Sequence, residues 1–219
     1  MGSITRSLAN NITTSGVILP AGITNASVSA VTSFANASAG TLILLSTQTA
    51  SASATISFTT GLDSTYDEYI FKFINVRPAN NNVFFRINGS TNGGSSYGVT
   101  STTTFFRAYH DEGDTDTSLG YFTSGDLAQS ANPIPIATET GNTSDNSISG
   151  EYKLFNPSST TYVKHFISRT NCLFNNDYTM DNFVAGYFNT TSAINAVQFT
   201  FETGNIADGI IKLYGLKKS

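Results

Sequence analysis

The sequence has little of what would allow the chain to be cross-linked or to hold a metal ion through soft ligands. Among 219 residues there is one cysteine, Cys172, with no tryptophan and only two histidines. A single thiol cannot form an intramolecular disulfide, and one cysteine with two histidines cannot complete a Cys/His zinc site. The stability of the fold must therefore come from buried apolar side chains, and we expect assembly to contribute to it.

Charged residues are also scarce. Asp, Glu, Lys and Arg make up 12% of the chain, against about a quarter in an average globular domain. The formal net charge is −4, whereas a protein that binds a phosphate backbone needs clustered Lys and Arg. We therefore expect no nucleic-acid partner. We expect instead a neutral, hydrogen-bonding surface, which suits contact with other proteins or with sugar hydroxyls.

Long apolar runs are missing as well. No run of the sequence approaches the roughly 18 apolar residues that a membrane-spanning helix requires. The first residues do not combine a charged segment with an apolar stretch, as a secretory signal would. The sequence thus predicts no membrane span, and a product that is made in the cytoplasm and is either soluble or carried in a particle.

Residues 1–40 are small and polar, with isolated aliphatic side chains, and Pro20 prevents a continuous helix. Such a segment cannot build a core alone. We expect an extended N-terminal arm whose aliphatic side chains dock on another surface. The alternative is an unstructured tail, which would carry more charge and fewer β-branched residues. The candidate docking residues are Ile4, Leu8, Ile12, Val17, Ile18 and Leu19.

From residue 41 onward, apolar and polar side chains alternate, as they do in a strand with one buried face. In one such run Val197, Phe199 and Phe201 alternate with polar residues. Turn residues separate about eight to ten runs of this kind, and no helical periodicity competes with them. Residues 41–219 are therefore predicted to form one all-β domain, an antiparallel jelly-roll-type β-sandwich.

The run Tyr69–Val76 differs from the others because it is apolar on nearly both faces. This pattern predicts a central strand that is covered on both sides. Phe71 or Phe73 should pack in the core. Ile70 and Ile74 have the opposite parity, so they need cover from the arm or from another subunit, and they are the candidate assembly residues of the domain.

Few residues suggest catalysis or metal binding. The acidic segment 111–116 could supply oxygen ligands to Ca²⁺, but Phe122 stands where an EF-hand needs its bidentate Glu, and a solvated acidic loop is the simpler interpretation. No nucleophile motif surrounds His110 or His165. His165 shares a strand face with Val163 and Ile167, so we expect it to be packed. Paired carboxylates for glycoside cleavage stay open, since the fold sets their separation. We expect no enzymatic activity, no cofactor and no resident metal.

Aromatic side chains are plentiful. The chain has 16 Phe and 10 Tyr, which exceeds what one sandwich core needs. Rings near loops could stack on sugars or fill a subunit interface, and we favour the interface. The candidate contacts with a glycan or a protein partner are Tyr97, Tyr109 and Tyr121.

Several segments, spread over nearly the whole chain, carry a family resemblance. They are residues 4–13, 56–58, 63–69, 71–76, 155–160 and 211–215, the last of which reads Ile-Lys-Leu-Tyr-Gly. Together they resemble structural proteins of marine tailed bacteriophages, whose members infect cyanobacteria and other abundant marine bacteria. The resemblance implies a virion component, of the tail-fibre or a related structural type, and it supplies no catalytic residues. The chain departs from a long fibre because no heptad or collagen-like shaft lies between arm and domain.

We therefore expect a non-enzymatic bacteriophage virion structural protein. It would be a short tail-fibre or appendage-type component that docks on other virion proteins through its arm and contacts the host surface. We expect a homo-oligomer, most plausibly a trimer, that is assembled in the host cytoplasm and carried in the virion. Two alternatives stay open: a capsid decoration protein, of the cement or head-fibre kind, and a glycan-binding module.

Overall fold

The computed structural model describes residues 12–13, 16–17, 42–174 and 177–216. The chain divides into two units, Met1–Ala39 and Gly40–Ser219. In the first unit, β1 (Ile12–Thr13) and β2 (Gly16–Val17) form an antiparallel ladder in which Ile12 lies opposite Val17. The rest of the predicted arm lies outside the described residues, including the candidates Ile4, Leu8, Ile18 and Leu19.

The second unit is all-β, as the alternation predicts, and its described residues contain no helix. Every ladder between its strands is antiparallel. The strands are β3 (Leu42–Ser53), β4 (Ile56–Phe58), β5 (Glu68–Pro78), β6 (Val83–Ser90), β7 (Ser101–Asp111), β8 (Thr117–Tyr121), β9 (Ile134–Thr140), β10 (Ile148–Phe155), β11 (Lys164–Phe174), β12 (Tyr178–Phe188), β13 (Ala196–Phe201) and β14 (Ile206–Leu216).

The strands form two layers that face each other. The twelve strands are hydrogen-bonded into one continuous sheet, which we divide at the single residue pair between β11 and β9. The large sheet then has the order β3-β14-β5-β10-β11-β12-β7-β8, and the small sheet has the order β4-β13-β6-β9. Without β7, β8, β11 and β12, successive strands alternate between the layers, except that β6 and β9 pair side by side in the small sheet. The group β3-β14-β5-β10 then opposes β4-β13-β6-β9. This is the connectivity of a jelly roll, so the predicted fold class is confirmed. Phe174 of β11 lies opposite Thr140 of β9 and joins the two sheets along one side.

The structure has more strands than the eight to ten expected, because two insertions lengthen the large sheet. The segment β7–β8 is inserted between β6 and β9, and β11–β12 is inserted between β10 and β13. These four strands continue the large sheet beyond β10. As a result the large sheet has eight strands and its partner has four.

The core lies between the sheets and is rich in aromatic rings. Phe199 of the small sheet packs against Phe71 and Phe73 of the large sheet, with ring centroids 5.3 Å apart in each pair. Both Phe71 and Phe73 are buried, as predicted for this central strand. The alternation of β13 is also confirmed, since Val197, Phe199 and Phe201 are all buried.

The sequence-based assignment of faces was wrong for β11. Val163, His165 and Ile167 were expected to be packed, but the buried side chains are Lys164, Phe166, Ser168, Thr170 and Cys172. Phe166 takes the core position. Lys164 tolerates burial at the start of the strand because its Nζ donates hydrogen bonds to the carbonyls of Tyr162 (2.6 Å) and Thr190 (3.1 Å).

Candidate functional site

The outer faces of the two sheets differ in chemistry. On the small sheet, Arg86 forms an ion pair with Glu202, and Gln198 donates a hydrogen bond to Ser57 at 3.1 Å. On the large sheet, exposed polar side chains such as Thr104, His165 and Asn171 are mixed with exposed large apolar ones. Apart from Tyr162, which precedes β11, every exposed large apolar side chain of the described residues lies on the large sheet: Leu42, Leu44, Ile74, Phe106, Leu119, Tyr121 and Ile167. We call this surface the outer face.

One row of side chains crosses the outer face from β5 to β8. The strand registers place Lys72 opposite Glu151, and Glu151 opposite Arg169. Glu151 accepts a hydrogen bond from Lys72 and forms an ion pair with Lys153, whose Nζ lies 3.2 Å from Glu151 Oε1. These two ammonium groups hold the pKa of Glu151 below its usual value, against the effect of its partial burial. The first half of the row is therefore a charged and internally paired cluster.

The second half of the row is aromatic. Arg169 lies opposite Phe183, and Phe183 lies opposite Phe106. The Arg169 guanidinium lies 4.8 Å from the centre of the Phe183 ring and is paired with Asp181 at 2.7 Å. On its other side the Phe183 ring stacks on Phe106, with centroids 4.7 Å apart and an angle of 6° between planes. Both faces of Phe183 are thus covered within the chain, and the row continues to Tyr121.

A groove of about 500 Å³ runs along this row. Its lining includes Ile167, Phe155, Phe106 and Ala185, with Lys153 among the polar side chains. Ile167 is 52% exposed although it lies in the middle of the sheet. An aliphatic side chain that is open at the centre of a broad sheet indicates a contact surface.

The two predicted assembly residues of β5 differ in exposure. Ile70 keeps only 7% of its surface exposed and lies between Lys153 and Tyr214 on the neighbouring strands. Its cover therefore comes from its own chain. Ile74 is 39% exposed and lies opposite Ile210. The prediction of a subunit contact at this pair now depends on Ile74.

The three candidate tyrosines do not form one platform. Tyr97 lies in the loop before β7, whereas Tyr109 lies near the far end of β7 and packs edge-on against Tyr178 at 5.7 Å. Only Tyr121 belongs to the outer face. It is 56% exposed, and its hydroxyl donates a hydrogen bond to Asp126 at 2.7 Å.

The acidic loop is closed by its own first residue. Asp111 accepts hydrogen bonds from the backbone N–H groups of Thr115 and Asp116, both at 2.8 Å, and from the Thr115 hydroxyl at 2.6 Å. These donors lower the pKa of Asp111 to about 2. Both carboxylate oxygens of Asp111 accept hydrogen bonds from the loop itself. The structure therefore favours a solvated acidic loop over a Ca²⁺ site. Within residues 42–174 and 177–216, no group of three or more His, Cys, Asp or Glu could hold a metal ion.

The thiol of Cys172 is buried under the small sheet, and burial raises its pKa to about 11. It is therefore protonated at neutral pH and unreactive in the folded domain.

Sequence reasoning missed two residues of the outer face, Ile167 and Phe183. The signal that could have located part of this surface is the pair Phe105–Phe106. Neighbouring residues of a strand point to opposite faces, so one ring of the pair had to point away from the core.

Comparisons with known proteins found no match among protein-family models, curated proteins or solved structures. The described part of the chain has no helix that is long and apolar enough to span a membrane.

Proposed function

We propose that this chain is a non-enzymatic structural component of a bacteriophage particle, a short tail-fibre or appendage-type protein. In this proposal residues 1–40 dock on the particle, and the outer face binds another virion protein. The observation that carries the proposal is the concentration of exposed apolar side chains on the outer face, while the small sheet presents a polar surface. The resemblance to phage structural proteins is the reason why we propose a bacteriophage particle.

The chemistry of the outer face favours a protein partner over a glycan. Sugars bind to aromatic platforms through an open ring face, but both faces of Phe183 are already covered by Arg169 and Phe106. Aliphatic side chains such as Ile167 and Leu44, 52% exposed in each case, offer no hydrogen bonds to sugar hydroxyls. Apolar centres with paired charges at their margin are instead typical of protein interfaces.

The test uses phage particles that lack this protein, complemented with purified variants. The double change Phe106→Ser, Ile167→Ser removes two apolar contacts. Each is worth about 1.5 kcal/mol or more when a partner covers it, so the two together should weaken binding to particles by at least about a hundredfold. The matched control is Tyr162→Ser, an equally polar change at a side chain that is 69% exposed but lies outside the outer face.

Incorporation should persist in the Tyr162→Ser variant and be lost when residues 1–40 are removed. Thermal unfolding of each variant must show that the domain stays folded. Normal incorporation of both the truncated chain and the Phe106→Ser, Ile167→Ser variant would overturn the proposal.

Labelled antibodies seen by electron microscopy locate the protein on the particle. Tail labelling supports an appendage. Head labelling would replace it with the capsid decoration role, in which the protein stabilises the head. Binding of purified protein to host cells that competes with a soluble host glycan, together with normal incorporation of the outer-face variant, would favour the glycan-binding module instead.

A further inference from the structure

The free edge of the large sheet at β3 has an unusual sequence. β3 spans twelve residues, Leu42–Ser53, and among the described residues its only ladder partner is β14. Within the described residues, no strand pairs with its other edge. Such an edge is a template for pairing with another strand, and natural proteins usually protect it with charges, proline or short length.

The other strands at sheet margins carry that protection. β8 has only five residues and β4 only three. β9 contains Pro135, and β11 joins it at the pair Phe174 and Thr140. β3 is long, lacks proline and lacks charge. Only a bulge near Leu45, in its ladder with β14, and a left-handed backbone at Ala52 (φ 50°) interrupt it. The regular segment is therefore 46–51.

The absence of charge in β3 indicates which partner fits. Every other strand of eight or more residues that the structure describes carries at least one Asp, Glu, Lys or Arg. When two identical strands pair antiparallel about a two-fold axis, the residue at the axis faces its own copy, so a charge there meets a like charge and destabilises the pair. A different partner would instead be favoured by complementary charges. An uncharged strand avoids this repulsion in any register, which favours a second copy of β3 as its partner.

We propose that β3 pairs with β3 of a second copy of this chain, antiparallel about a two-fold axis. Self-pairing of the regular segment 46–51 places the axis at Gln48 or Thr49. Thr47, Gln48 and Thr49 are all exposed in the single chain. The contact would join two large sheets into one continuous sheet and place the exposed Leu42 and Leu44 of each copy beside the junction. This contact does not depend on the particle to which the protein belongs.

Cysteine cross-linking of the full-length chain tests this register. Residues directly opposite in an antiparallel pair have Cα atoms about 4.5 to 5.5 Å apart, which is within disulfide range. Thr47→Cys, Gln48→Cys, Thr49→Cys and the control Asn81→Cys, in an exposed turn, are made singly and oxidised. Native Cys172 is buried and should not form a cross-link. We expect a disulfide dimer at Gln48→Cys or Thr49→Cys and none at Asn81→Cys.

Sedimentation of the same full-length chain provides an independent readout. The wild-type chain should be dimeric at micromolar concentration, and Thr47→Lys, Thr49→Lys should make it monomeric, while Asn81→Lys leaves the dimer intact. A wild-type monomer, equal cross-linking at all four positions, or a trimer that persists in the double lysine variant would overturn the β3 contact. The particle-binding test can fail while the β3 dimer still forms. The dimer can also be absent while the protein still binds to particles.

Discussion

Phe199→Ala should be among the most destabilising single substitutions in this domain. The Phe199 ring is fully buried and lies between the sheets, with ring centroids 5.3 Å from Phe71 and Phe73, 5.8 Å from Phe85 and 6.2 Å from Phe58. Removal of a core Phe costs about 3 to 5 kcal/mol, and each lost ring pair adds about 0.5 kcal/mol or more. We expect a loss of about 5 kcal/mol in the free energy of unfolding.

The assay is urea or thermal unfolding of the full-length chain. For a domain of this size a loss of about 5 kcal/mol lowers the Tm by roughly 10 to 20 °C. Phe106→Ala is the matched control, because its ring also stacks on another ring but is 42% exposed, and it should cost only about 1 kcal/mol. Equal losses in the two variants would refute the assignment of Phe199 to the core and Phe106 to the outer face.

Two other predictions concern buried polar groups. The Tyr152 hydroxyl is buried without a hydrogen-bond partner among the described residues. Tyr152→Phe should therefore raise the free energy of unfolding, measured in urea, by about 1 kcal/mol. A decrease of that size would show that the hydroxyl has a partner. Asp111 has its pKa lowered from 3.8 to about 2, so its contribution to stability is present above pH 4 and is lost as the pH falls towards 2. Asp111→Asn should be less stable than wild type at pH 6, and the difference should shrink as the pH falls from 4 towards 2. A difference that is constant with pH would exclude this carboxylate as its source.

The fold class could be predicted from the sequence because a period of two is a local property. Val83, Phe85 and Ile87 stand at every second position of the sequence, and all three are buried in β6. The pairing of strands is not local. The segments 101–121 and 164–188 contain strand patterns, but nothing in them reveals that these strands extend the large sheet beyond β10. The wide outer face, on which the proposed function depends, follows from that pairing.

The candidate site was harder to predict because periodicity gives two faces without saying which is inward. In β11 the apolar Ile167 and the charged Lys164 pointed to the wrong choice. Phe166 decided the orientation, since a large ring gains more from burial than Ile167 does, and the strand end supplied carbonyls for the Lys164 ammonium group. Tyr97 lies in a loop and Tyr109 near the end of a strand, as expected. Proximity to loops does not reveal, however, that these two residues lie at different ends of β7.

The position of β14 determines when the domain can be completed during synthesis. β14 spans Ile206–Leu216, near the end of the sequence, yet it lies between β3 and β5 and pairs with both. At about 5 to 20 residues per second, translation from the end of β3 to the start of β14 takes about 8 to 30 s. Throughout that interval β3 has no neighbour on either edge from the described strands. A message truncated before residue 206 leaves the large sheet split, so the nascent chain depends on its final strand to close the gap.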